Sequence, residues 1–123
     1  MNKAQAIHSF WSSFGLPAYD QSSVPSGTDG AVMPYITYEM KADNIDNEVG
    51  MAASIWYRSS SWEAVTLKSD EVARKIGGIL PIPIDGGYCW IKRGSPFAQR
   101  MSDEDDSVRR ILINITVEYL TEV

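Results

Sequence analysis

Polar and apolar residues alternate with a period of two along the last stretch of the chain, Val108 to Val123. Arg109, Ile111, Ile113, Ile115, Val117 and Tyr119 fall on one side, and Arg110, Leu112, Asn114, Thr116, Glu118 and Leu120 on the other. Four β-branched aliphatic residues and a tyrosine thus share a face, as a strand with one buried face requires. At about 3.3 Å per residue the stretch reaches roughly 45 Å, beyond the usual strand length. It is expected to be the central strand and to outrun its own sheet.

Elsewhere the period changes. Ala4, Ile7, Phe10, Trp11 and Phe14 recur at helical spacing and predict an amphipathic helix over 3–14, ended by Gly15 and Pro17. From Ala18 to Met33 the chain is rich in Gly, Ser, Asp and Pro without periodicity, and predicts a long surface loop. Alternation returns over 34–40 and again over 48–58, separated by the polar connection 41–47, and these two runs predict an antiparallel pair. Ser60-Ser61-Trp62-Glu63 fits a capping box between Ser60 and Glu63, opening a second helix. Its inward residues are Trp62, Val65, Val72, Ala73 and Ile76, with Ser69 interrupting the stripe, and Gly77-Gly78 stop it.

The apolar run 79–84 carries Pro81 and Pro83, which lack ladder donors, so it is expected at an edge or as an irregular strand. Asp85-Gly86 predicts a tight turn into a strand over 87–93, and 94–106 predicts an exposed loop. No internal repeat or linker divides the chain. The expected fold is a single α+β domain over 1–123: a mainly antiparallel sheet of four to five strands, two α-helices packed on one face, and long surface loops.

Composition changes this picture little. A chain of 123 residues can bury a core without disulfide or metal staples. The net charge of −5 argues against a protein that grips nucleic acid by neutralising phosphates. Cys89 is the only cysteine, which excludes an intrachain disulfide and favours a reducing compartment. No run has the length of a signal peptide's apolar core or of a membrane-spanning helix, so a cytosolic site of synthesis and no membrane partner are expected. Asn114-Ile115-Thr116 matches a glycosylation acceptor but lies inside the predicted last strand.

Candidate chemistry is sparse. A nucleophilic Cys–His pair could draw only on Cys89 and His8, one in a predicted strand and the other on a helix surface, without a Gly-rich nucleophile turn. One His and one Cys do not furnish an ordinary transition-metal site. Asp103-Glu104-Asp105-Asp106 and Asp43-Asn44-Ile45-Asp46-Asn47 both lack the spacing of a calcium loop, and Gly27-Thr28-Asp29-Gly30 lacks the ending of a phosphate loop. No catalytic, cofactor or metal residue is nominated. Trp56 falls on the strand face opposite Met51 and Ile55, where it would be exposed unless a helix, a loop or another subunit covers it.

Four segments carry a resemblance: Phe10-Trp11-x-x-Phe14-Gly15-Leu16-Pro17-Ala18-Tyr19, Pro34 to Glu39, Ser54 to Trp62, and Ile91 to Arg100. In this order they resemble the tail-terminator, or tail-completion, proteins of long-tailed bacteriophages and prophages. The resemblance implies an α+β structural protein of the virion, made in the host cytoplasm and placed at the tail–neck junction. It implies a ring of six subunits that caps the tail tube, meets the head-completion proteins of the neck, and lets genomic DNA pass through its lumen. No enzymatic activity or cofactor goes with it.

Six chains at −5 each would carry −30, a charge along which DNA slides without sticking. Asp103, Glu104, Asp105 and Asp106 are therefore the candidates for the lumen or a ring face. The loops 18–33 and 41–47 are expected to meet tube or neck proteins. Trp56, Glu118, Tyr119 and Leu120 are the candidates for contact between subunits. A head-completion or stopper protein of the neck is the nearest alternative. A small-ligand-binding or enzymatic domain with a pocket near Trp90 and Cys89 is the alternative of another class.

Overall fold

A computed structural model describes residues 1–26, 30–41 and 48–121. The elements run α1 (Lys3–Ser12), β1 (Ala18–Asp20), β2 (Tyr35–Tyr38), β3 (Glu48–Arg58), α2 (Glu63–Ile76), β4 (Leu80–Ile84), β5 (Gly87–Met101) and β6 (Val108–Thr121). The strands form one mixed sheet in the order β1-β2-β3-β6-β5-β4. All neighbours are antiparallel except β1 and β2. The fold is α+β.

The alternation at the C-terminal end makes β6 an inner strand. Ile111, Ile113, Ile115 and Val117 are at most 4% exposed, whereas the residues between them are half-buried. β3 pairs with β6 from Glu48–Glu118 through Arg58–Val108, so Val49, Met51, Ala53 and Ile55 join the same apolar layer. Residues Ala6, Ile7, Phe10 and Trp11 of α1 and Val65, Val72 and Ile76 of α2 complete one core on that layer. Each fully buried aliphatic side chain there contributes about 1.5–3 kcal/mol relative to exposure.

Two helix ends depart from the sequence reading. The first helix stops at Ser12, two residues early, and Gly15 then adopts φ +77° to turn the chain. At its start Asn2 accepts from the Gln5 amide at 2.8 Å while the Gln5 side chain accepts from the Asn2 amide at 2.9 Å, a capping box the reading passed over. The box predicted at Ser60 does not form. Trp62 is the N-cap, without a side-chain cap, and Ser61 Oγ accepts from the Glu63 amide at 3.1 Å.

The strand count of four to five is corrected to six among the described residues. Within the stretch read as a long loop, Ala18–Asp20 forms β1, anchored by Ile36 N–H to Pro17 O at 2.8 Å and Gln21 N–H to Tyr38 O at 2.9 Å. Three residues give no local period, so only the neighbouring strand reveals them. The loop predicted over 94–106 is also corrected, because β5 continues to Met101 and only the turn 102–107 remains. A register shift between Arg93 and Ala98 interrupts the ladder around Pro96, which has no N–H to donate. Gly94 sits in that bulge against β6, where a Cβ would come within 2.8 Å of the Asn114 carbonyl oxygen.

The extension of β5 also overturns the expectation that the last strand outruns its sheet. β6 is paired with β3 over Val108–Glu118 and with β5 from Arg110 to Thr121, apart from the bulge. β4 lies at the edge, as its prolines require. Gly86 takes φ +78° in the two-residue connection from β4 to β5. The connection 42–47, the segment 27–29 and the last two residues lie outside the described residues, and with them most of the two predicted acidic and glycine-rich loop motifs.

Candidate functional site

The residues weighed for nucleophilic chemistry lie apart. Cys89 is fully buried in β5, and burial pushes its thiol up to about 11, which leaves negligible thiolate at neutral pH. His8 is on α1, with Nδ1 2.9 Å from the Tyr38 hydroxyl and Nε2 3.3 Å from Ser12 Oγ. Its partners tie the helix to β2, not to Cys89. Among the described residues no three His, Cys, Asp or Glu side chains cluster as metal ligands. Trp90 is half-buried on the sheet face opposite Cys89, so the two do not line one pocket.

The more informative feature is the second face of the sheet. It carries the even-numbered residues of β3 and β6, and among the described residues neither helix packs on it. Trp56 lies here, as its strand parity requires, but it is half-buried by its own neighbours. Its indole N–H donates to Thr37 Oγ1 at 2.9 Å, the Arg110 guanidinium lies 4.7 Å from its ring centre, and Tyr35 lies 6.3 Å away. Tyr19 extends the row at 5.9 Å from Tyr35. Arg110 is fixed by Nε–H donating to Ser54 Oγ at 2.9 Å, which also satisfies a hydroxyl that is only 4% exposed.

At the other end of the same face, Glu118 lies beside Glu48 and Trp90 in the ladder. Lys92 bridges the two carboxylates, 2.7 Å from Glu48 and 3.7 Å from Glu118. The Glu48 hydrogen bond raises the Lys92 pKa, with both carboxylates adding to it. Leu120 is 38% exposed and pairs across the ladder with Tyr88, 51% exposed. Pro83 is opposite Tyr88 on the far side, and Pro81 opposite Trp90. These side chains form a contiguous exposed apolar patch, a feature associated with interfaces.

Tyr119 is not on this face. It turns toward the helix side, where its hydroxyl donates to the Lys41 carbonyl at 2.8 Å and Lys3 lies 5.1 Å from its ring centre. Trp56, Glu118 and Leu120 are therefore brought onto one surface, and Tyr119 is separated from them by strand parity. Arg110 and Tyr88, absent from the candidates, belong to it. The alternation of β6 points to Arg110 directly, whereas Tyr88 emerges only from its register with Leu120.

The acidic run forms the β5–β6 turn. Asp105 accepts from the Ser107 amide at 2.8 Å and the Ser107 hydroxyl at 2.7 Å, and pairs with Arg58 at 3.2 Å. The Ser107 bonds chiefly, with Arg58 in support, hold its carboxyl down at about 2. Asp103 accepts from the Asp105 amide at 3.0 Å. Two of the four acids thus shape the turn, while Glu104 and Asp106 are exposed, with no side-chain partner among the described residues. Beneath the turn, Arg109 and Arg100 lie 5.4 and 4.9 Å from the Trp62 ring centre, tying the hairpin to the start of α2.

Comparison with models of known protein families, with curated proteins and with solved structures found no match to this chain.

Proposed function

We propose that the protein is a tail terminator: a structural subunit that assembles into a hexameric ring, caps the tail tube and joins it to the head-completion proteins of the neck. The observation that carries the reading is the sheet face left without a helix, with its exposed Tyr88–Leu120 patch and half-buried Trp56 and Trp90. Such a face fits a protein whose second layer comes from other subunits. The resemblance of the four sequence segments supplies the particular assembly.

In this reading the turn 102–107 faces the ring lumen or one ring face. Glu104 and Asp106 present charge to passing DNA, and Asp103 and Asp105 hold the turn in shape. Trp56, Glu118 and Leu120 lie at contacts between subunits. The virion is the site of action, after assembly in the host cytoplasm.

The test is removal of the gene from a tailed phage or prophage that encodes it. Tails that fail to join heads, and joining restored when the purified protein is added to the extract, support the reading. Normal, fully joined virions without the protein overturn it. A defect confined to filled heads that leak DNA would favour the stopper alternative instead.

A further inference from the structure

We propose that a hollow on the uncovered sheet face is a binding site for a small, singly charged carboxylic acid, held by the guanidinium of Arg110. The inference stands apart from the assembly reading above. It comes from the way one cation is fixed in place and left without a carboxylate.

Strand parity and register bring Thr37 of β2, Ala52, Ser54 and Trp56 of β3, and Arg110 and Leu112 of β6 to the same face. Arg110 Nε donates to Ser54 Oγ at 2.9 Å, and its guanidinium lies 4.7 Å from the Trp56 ring centre. Trp56 is held in turn, because its indole N–H donates to Thr37 Oγ1 at 2.9 Å. The guanidinium is thus ordered by a hydrogen bond at Nε and a ring beside it before any ligand arrives, which lowers the cost of binding. Its two terminal nitrogens have no hydrogen-bond partner, and the group no carboxylate partner, among the described residues. Two such nitrogens side by side match the two oxygens of a carboxylate.

The hydroxyls beside it point to the same chemistry. Ser54 Oγ and Thr37 Oγ1 each accept a hydrogen bond, and neither O–H has an acceptor among the described residues, although Ser54 is only 4% exposed. Arg110, Ser54 and Thr37 line one hollow, so their spare donors face a common space.

Size and charge narrow the ligand. The hollow measures about 210 Å³, below the roughly 300–1,000 Å³ of pockets that enclose drug-sized molecules. Ala52 and Leu112 give it apolar lining for a short aliphatic body, and Gln21 and Glu39 also border it. Glu39 is compensated, accepting from the Ala52 amide at 2.7 Å and lying 3.9 Å from Lys41 Nζ. Arg58, the next cation on this face of β3, is paired with Asp105 at 3.2 Å. Arg110 therefore offers a single positive charge, which suits a monoanion. A dianion such as phosphate would place its second charge near Glu39 without a cation to meet it.

The test is an NMR titration of the full chain at constant ionic strength with sodium butyrate, with 1-butanol and with inorganic phosphate, read at the Trp56 indole N–H. The proposal expects a saturable shift with butyrate, and binding of butanol and of phosphate at least about tenfold weaker. This selectivity is read on the unaltered protein and so does not depend on a variant folding. Arg110→Gln is expected to weaken butyrate binding about tenfold or more, and Ser54→Ala, which releases the guanidinium but keeps its charge, to weaken it less. No saturable shift with butyrate, phosphate binding as tightly as butyrate, or equal butyrate binding by Arg110→Gln overturns the proposal. Saturation by N-acetylglutamate amide but not by butyrate would assign the hollow to an acidic side chain of a partner protein, and also overturns it.

Discussion

Asp105 illustrates how one side chain in an acidic run can have a local task. Its carboxylate closes the β5–β6 turn through Ser107 and Arg58, and those bonds lower its pKa from 3.8 to about 2. The sign follows from the depression: the ionised form is favoured by folding, so its contribution is fully present above about pH 4 and is lost as pH falls through about 2. An NMR titration of the side-chain carboxyl should show a midpoint near 2 in the native protein and a rise toward the ordinary value in Ser107→Ala. Cys89 gives the converse case. Its buried, neutral thiol should react with a thiol reagent far more slowly in native than in denatured protein, and equal rates would contradict its place in the core. Ile113, fully buried at the centre of β6, should cost about 2–5 kcal/mol when truncated to alanine, measured by denaturant unfolding.

At the scale of elements, what could be read in advance depended on how far each period ran. β3 and β6 declare themselves through long alternations, and the helices through apolar residues at three and four spacing. β1 is too short to have a period and exists because Pro17 and Gln21 hydrogen-bond to β2. The distal half of β5 was hidden by Gly94 and Pro96, residues that ordinarily mark a loop and here mark a bulge in a continuing strand. The surface residues followed the same logic. Trp56, Glu118 and Leu120 share a face by parity, which alternation reveals, while Tyr119 at its odd position lies on the other face. The close approach of β5 to β6 gives a further expectation. A Cβ on Gly87 would collide with the Leu120 carbonyl, so Gly87→Ala should destabilise the protein by about 1–3 kcal/mol. Hydrogen exchange should quicken first at the Gly87–Thr121 end of the β5–β6 ladder.

For the whole molecule, the layering is the decisive property. Helices and their apolar stripes cover one face of the sheet, and the other carries, among the described residues, an aromatic and charged margin around shallow hollows in which Glu39 and Lys41 stand beside Gly50 and Ala52. A hexamer would carry six acidic turns and a total charge of −30, from six copies at −5. Replacing Glu104 and Asp106 by Gln and Asn removes charge without breaking the Asp105 bonds, and so separates a charge requirement from a folding one. If the turn lines the lumen, the doubly substituted protein should assemble normally but retain DNA more strongly at low salt than at high salt. Unchanged retention would move the turn away from the lumen. Cryo-electron microscopy of tailed particles that contain this chain tests the proposed place at the tail–neck junction most directly. The terminator assignment predicts a six-fold ring at the junction of tail tube and neck. Density for the chain elsewhere in the particle, or its absence from the junction of intact virions, would contradict it.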